Sequence, residues 1–169
     1  VAYDYIAGRR GAMAFFCAIS GLEHAMWDTI GKKLGAPVHQ LLGGACRDKI
    51  RVYANGWSEG AKTPGALAEK ASQVIEIGFT ALKFGPIPGP WRSYVSREVE
   101  EAAVENVAAV RQAVGPDAEI LVAMHRRLAP MHTVRIARTI EQFRPFWYAE
   151  PVLAAPVDAL AAVKREINI

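Results

Sequence analysis

The chain has few of the features that would announce a class at once. It has two cysteines, Cys17 and Cys46, without metal-type spacing. Both therefore read as packing residues, and a reduced, cytoplasmic setting is expected. There is no long hydrophobic run. The apolar stretch Ala12 to Ile19 is far too short to span a bilayer, and no basic segment and cleavage site frame it as a signal peptide. No membrane role is expected. Charge of one sign is also scarce: the net charge is +3 and the basic residues are scattered, which argues against a nucleic-acid surface. There is no Gly-x-Gly-x-x-Gly pattern. Gly56-Trp57-Ser58-Glu59-Gly60 is only a weak substitute for a phosphate-cradling loop. There is no low-complexity segment, and no repeat beyond an alternation of strands and helices. The first residue is Val1, not Met, and Ile169 falls where a strand would open, so both ends read as cuts.

What is present is a globular composition, 51% hydrophobic and 22% charged. Ala12 to Leu34 reads as one helix, with Ala14, Ala18, Leu22, Ala25, Met26, Thr29 and Ile30 as an apolar stripe expected to pack. On that helix His24 and Trp27 read as structural. Gly35-Ala36-Pro37 ends it. The rhythm changes near residue 49, which divides the chain into 1–48 and 49–169. Strands are expected at Arg51–Asn55, Thr80–Phe84, Glu119–Met124 and Phe146–Ala149, with a fifth opening at Asn168-Ile169. Helices lie between them. One starts at Thr63 as N-cap with Pro64 at its first position and buries Leu67, Ala71, Val74 and Ile75. One after Ser96 carries Val104, Val107, Ala108 and Val114. One runs from Met131 to Phe143, and one from Val157 to Glu166 with Val157, Leu160 and Ala161 inward. Strands separated by helices run parallel. The fold class is therefore α/β: an open doubly wound sheet, or roughly half of a barrel that needs about 200 residues or more in full.

In either architecture the chemistry sits at the C-terminal ends of the strands. Face alternation places Asn55, Lys83, Ala123, His125 and Ala149 inward at that rim and sends Glu150 to the other face. Ala123 and Ala149 are methyl groups where acidic side chains would be expected. Trp57 and Trp91 lie in rim-side loops and could wall a pocket or cover the core. Arg126 and Arg127 are candidates for holding a carboxylate; Arg135 and Arg138 read as solvated or ion-paired.

Several segments together resemble the enolase superfamily, in its mandelate racemase/muconate lactonizing enzyme group and nearest to the acid-sugar dehydratases. They are Ser20-Gly21-Leu22-Glu23-His24-Ala25-Met26-Trp27-Asp28, Gly31-Lys32-Lys33-Leu34-Gly35, Gly43-Gly44, Arg47-Asp48 and Arg51-Val52-Tyr53-Ala54. Gly78-Phe79-Thr80-Ala81-Leu82-Lys83-Phe84, His125 and Glu150-Pro151 complete the set. The resemblance implies roughly the first half of a (β/α)7β TIM-like barrel, preceded by a helical segment of a capping domain.

It also implies a lyase that takes a small sugar acid. A Mg²⁺ held by three carboxylates stabilises the enediolate left by α-proton removal, and an acid then expels a β-hydroxyl. Lys83 matches the first lysine of the second-strand motif, a residue that holds the substrate carboxylate. The racemases carry a second lysine at the position of Gly85. His125 matches a histidine that is the acid in some dehydratases. Asn55, Trp57 and Arg126 are the substrate-binding candidates. Two metal-ligand positions correspond to Ala123 and Ala149, with Glu150 beside the second, so no intact metal site is expected. The third ligand and a further catalytic pair would lie past Ile169. An incomplete enzyme of this type, a racemase or cycloisomerase of the same group, and a non-catalytic scaffold remain open. Half a barrel exposes strand edges, so association into a homo-oligomer is expected.

Overall fold

The computed structural model describes residues 13–89, 93–153 and 157–169. Ala12 and Trp91, named above, lie outside the described residues. The chain divides into two compact units, Val1–Ile50 and Arg51–Ile169. No described helix is long and apolar enough to cross a membrane.

In the first unit, helix α1 (Met13–Leu34) is followed by the single turn α2 (Val38–Leu41). Gly31 lets the chain fold back between them: a Cβ there would stand 2.8 Å from the Ala36 carbonyl oxygen. Gly35 follows at φ 62°, a left-handed stop that glycine adopts freely. The expected buried stripe does not form. Leu22, Met26 and Ile30 are exposed, and Gly31 is the buried residue of α1. The periodicity was sound, but the described part of this unit holds only α2 to set against a helix of 22 residues. Both cysteines are likewise exposed rather than packed. Cys17 lies on α1, and Cys46 lies in the segment after α2.

The second unit is built from helices α3 (Pro64–Glu76), α4 (Arg97–Val114), α5 (Pro130–Ile140) and α6 (Val157–Glu166) and strands β1 (Ala81–Phe84), β2 (Glu119–Ala123) and β3 (Trp147–Ala149). The Thr63 hydroxyl accepts the Ala66 N–H at 3.2 Å and starts α3 as the sequence predicts. Leu67, Ala71 and Val74 are buried. On α4 the buried stripe is Ala103, Val107 and Val110, so Val104, Ala108 and Val114 flank it. On α6 the inward residue is Val163, with Ala159 packed against the core, while Val157, Leu160 and Ala161 are exposed. This helix carries apolar side chains on two neighbouring stripes, and periodicity alone does not choose between them.

The strands form one parallel sheet in the order β1-β2-β3. Ala81 pairs with Glu119, Lys83 with Leu121, Leu121 with Trp147 and Ala123 with Ala149. Leu82, Phe84, Ile120, Val122 and Tyr148 point to the helices and form the core with Val107, Val110, Ile136 and Ile140. The Tyr148 hydroxyl, 2.9 Å from the Thr133 hydroxyl, also donates to the Thr133 carbonyl at 3.1 Å; burial raises its pKa well above that of a free tyrosine. The expected strand at Arg51–Asn55 reduces to one parallel bridge, Ala54 to Leu82. Asn168-Ile169 forms no strand: the Asn168 N–H donates to Glu141 Oε1 at 2.9 Å instead of to a neighbouring strand.

Side-chain ties hold this frame at both ends of the sheet. Arg111 donates to the carbonyls of Phe143 (2.9 Å), Gly115 (2.7 Å), Ala118 (2.7 Å) and Arg144 (3.2 Å), gathering the two loops that lead into β2 and β3. Burial, and then the neighbouring Arg144, lower its pKa from the ordinary guanidinium value. At the opposite end the Trp57 indole N–H donates to the Lys83 carbonyl at 2.8 Å, and its ring lies 5.4 Å from that of Phe84. Between α4 and α5, Glu100 Oε1 meets His132 Nδ1 at 2.5 Å and Arg135 at 3.4 Å. Arg138 pairs with Glu166.

These ties set the stability of three variants. Arg111→Met leaves the gathered carbonyls without their charged donor and should cost about 2–3 kcal/mol, read as a lower urea midpoint with unchanged slope. Arg111→Lys should recover only part, because one ammonium cannot span both loops. Trp57→Phe keeps the ring contact and removes one hydrogen bond, so its cost should be about 1 kcal/mol by the same measurement.

Candidate functional site

The parallel register stacks the inward-facing side chains in rows. Lys83, Leu121 and Trp147 form one row; Ala123 and Ala149, direct partners, form the next, with Gly85 beside them at the end of β1. The Ala123 carbonyl oxygen lies 3.3 Å from where a Cβ on Gly85 would stand. Below this rim lies an aromatic floor. The Tyr53 ring meets Trp147 edge to face at 5.6 Å, and Lys83 Nζ stands 5.9 Å from the Tyr53 ring centre, in range of a cation–π contact. Trp147 Nε1 is buried and has no hydrogen-bond partner among the described residues. A buried donor of this kind is uncommon.

Past the strand ends the backbone changes hand. His125 (φ 55°), Arg126 (φ 59°) and Glu150 (φ 53°) are all left-handed without being glycine. Such residues cost on the order of 1–3 kcal/mol each and cluster at functional sites. The pairing nonetheless continues: the Met124 N–H donates to the Ala149 carbonyl and the Arg126 N–H to the Glu150 carbonyl, both at 2.9 Å. Strand alternation sends Glu150 to the opposite face, and the structure corrects this. Alternation holds only while the backbone stays extended, and the left-handed turn at Glu150 brings its carboxylate to the rim. There Oε1 lies 3.3 Å from Arg126 Nε, and Oε2 lies 3.9 Å from His125 Nδ1.

The sequence-derived candidates thus fall into two groups. Lys83, Ala123, His125 and Ala149 come together on the inward side of the rim. Asn55 is exposed one residue past the Ala54–Leu82 bridge, in line with Lys83. The Trp57 indole N–H holds the Lys83 carbonyl, and Arg126 Nε lies beside the Glu150 carboxylate. One contributor, Tyr53, was not singled out as a site residue.

Mg²⁺ would need oxygen ligands, with carboxylates prominent among them. At positions 123 and 149 the side chains are methyl groups, and Ala123 is buried. Glu150 is shared between Arg126 and His125. Among the described residues no group of three or more His, Cys, Asp or Glu could hold a metal ion. The described residues do not fit a Mg²⁺ centre.

Residues 66–169 match the Enolase C-terminal domain-like family, and residues 5–43 match the Mandelate racemase / muconate lactonizing enzyme, N-terminal domain. D-gluconate dehydratase of Thermoproteus tenax is 44% identical over 135 residues, 80% of this chain and 27% of that protein. D-gluconate/D-galactonate dehydratase of Picrophilus torridus is 32% identical over 151 residues, 89% of this chain and 38% of that protein. The chain therefore spans well under half the length of these curated relatives. A crystal structure from Mesorhizobium loti superposes with a TM-score of 0.93 at 36% identity, covering 99% of this chain and 46% of that one. The three parallel strands and their helices are part of a TIM-like barrel domain, and the chain belongs to the mandelate racemase/muconate lactonizing enzyme group of the enolase superfamily.

Proposed function

We propose that this chain carries the leading barrel strands of a sugar-acid dehydratase-type protein in which two of the metal-ligand positions have been vacated. The supporting observation is the pairing of Ala123 with Ala149 on the inward face of adjacent strands, beside Lys83 and His125. The frame is that of an enzyme acting on a small carboxylate substrate, and the names of the relatives point to D-gluconate or D-galactonate as the class. In this reading Lys83 offers a positive charge to the substrate carboxylate. His125 faces a substrate hydroxyl and moves a proton to or from it. Asn55, in line with Lys83, adds a neutral donor and acceptor. Two methyl groups leave the proposed dianionic intermediate without its cation, so the chain as it stands binds the sugar acid without dehydrating it.

A lysine-based racemase reading needs a second lysine at position 85, just past β1. That position is glycine, and the space beyond it is filled by the imidazole of His125.

Calorimetric titration with MgCl₂ tests the proposal. The native chain should give no saturable binding, and Ala123→Asp combined with Ala149→Glu should introduce a saturable Mg²⁺ isotherm. Saturable Mg²⁺ binding by the native chain, or its turnover of D-gluconate or D-galactonate, would overturn the vacated-site reading. If D-gluconate and D-galactonate bind, Lys83→Met should weaken them at least several-fold. No binding of either acid at millimolar concentration would count against the substrate class.

A further inference from the structure

The segment 53–57 pairs with β1 through a single bridge, yet three of its residues meet at Lys83. The Ala54 carbonyl accepts the Lys83 N–H at 2.9 Å. The Trp57 indole N–H donates to the Lys83 carbonyl at 2.8 Å. The centre of the Tyr53 ring lies 5.9 Å from Lys83 Nζ. The first two contacts fix the lysine backbone; the third bears on its charge. Tyr53 is itself set edge-on to Trp147, with ring planes at 83° and centroids 5.6 Å apart, which fixes the tilt of its face. Among the described residues no carboxylate pairs with Lys83. The difference in partner matters. A carboxylate would hold the ammonium and neutralise it, and an incoming anion would have to displace that partner. An aromatic face attracts a cation through its quadrupole and carries no net charge.

We propose that Tyr53 is the positioning residue of Lys83: its ring holds the ammonium on the inward face without neutralising it, so that the charge is presented to a carboxylate ligand. The ring face makes the contact, so the Tyr53 hydroxyl is not needed for it. A lysine stem has many rotamers, and ordering it when a ligand arrives costs affinity. A stem already steered by the ring carries less of that cost. The inference rests on the reading in which Lys83 meets the sugar-acid carboxylate, and adds what aims it.

Two readouts on the whole 169-residue chain test this. The first needs no ligand. The chain is labelled with ¹³C-lysine, Lys83 is assigned by Lys83→Met, and the ε-methylene ¹H shifts are read. Protons over a ring face move upfield, so those of Lys83 should lie upfield of the free-lysine position. Tyr53→Phe should keep that shift and Tyr53→Leu should abolish it, with Lys62 and Lys164 unchanged. The second readout is calorimetric titration with sodium D-gluconate. Tyr53→Leu should weaken binding about threefold, and Tyr53→Phe should bind as the native chain does. In the Lys83→Met background Tyr53→Leu should add no further loss. Pentafluorophenylalanine at position 53 keeps the size of the ring and reverses its quadrupole. It should act as leucine does in both readouts, and it replaces Tyr53→Leu if that variant does not fold. A native Lys83 signal at the free-lysine position, or an upfield shift that survives Tyr53→Leu, overturns the proposal. So does a Tyr53→Leu loss that persists undiminished in the Lys83→Met background. Absent D-gluconate binding, with the shift present and dependent on Tyr53, would sink the sugar-acid reading and the presentation to a carboxylate, and would leave the placement of the ammonium standing.

Discussion

The parallel hydrogen-bonded register of β1, β2 and β3 is the constraint on which everything else here depends. Once Lys83 is opposite Leu121 and Ala123 opposite Ala149, every inward side chain has its row and every outward one its place against the helices. A slip of one residue would exchange the two faces throughout. Leu82, Phe84, Ile120, Val122 and Tyr148 would leave the core, and Lys83 would enter it. The burial of those five side chains is therefore also what holds the chemistry of the rim in position. The ties made by Arg111 at one end and Trp57 at the other secure the same register from loops.

Much of this was legible in the residues themselves. The order of strands and helices, the Thr63 cap and the inward pairing of Ala123 with Ala149 follow from period-2 and period-3.6 patterns and from capping chemistry, which are local. What was not legible depends on partners or on a change of backbone hand. The stripe on α1 is real, but a stripe does not say what covers it. The α6 sequence offers two apolar faces, and the packing selects the one with Val163. Glu150 is the sharpest case. Alternation is a property of extended backbone, and a left-handed residue at the strand end interrupts it with no marker in the sequence, since glutamate seldom adopts that conformation.

The rim also separates two properties that usually travel together at such sites. One is its shape, with left-handed backbone at both strand ends, a lysine over an aromatic ring and an imidazole close against a glycine. The other is its charge. Across β2 and β3 the facing side chains are two methyl groups. The local balance at the rim is consequently cationic, from Lys83 and Arg126, and Glu150 answers Arg126 directly. An anionic ligand suits that balance better than a divalent cation does.

The four carbonyls that Arg111 gathers have a consequence for the order of assembly. They belong to residues no more than 33 positions away along the chain. Contacts that close over so short a span lose little chain entropy before they form. The loops leading into β2 and β3 are thus tied to one another from within one stretch of sequence. In a chain synthesised from its N-terminus, this part of the barrel carries its own means of closing as soon as its last carbonyl, that of Arg144, has been made.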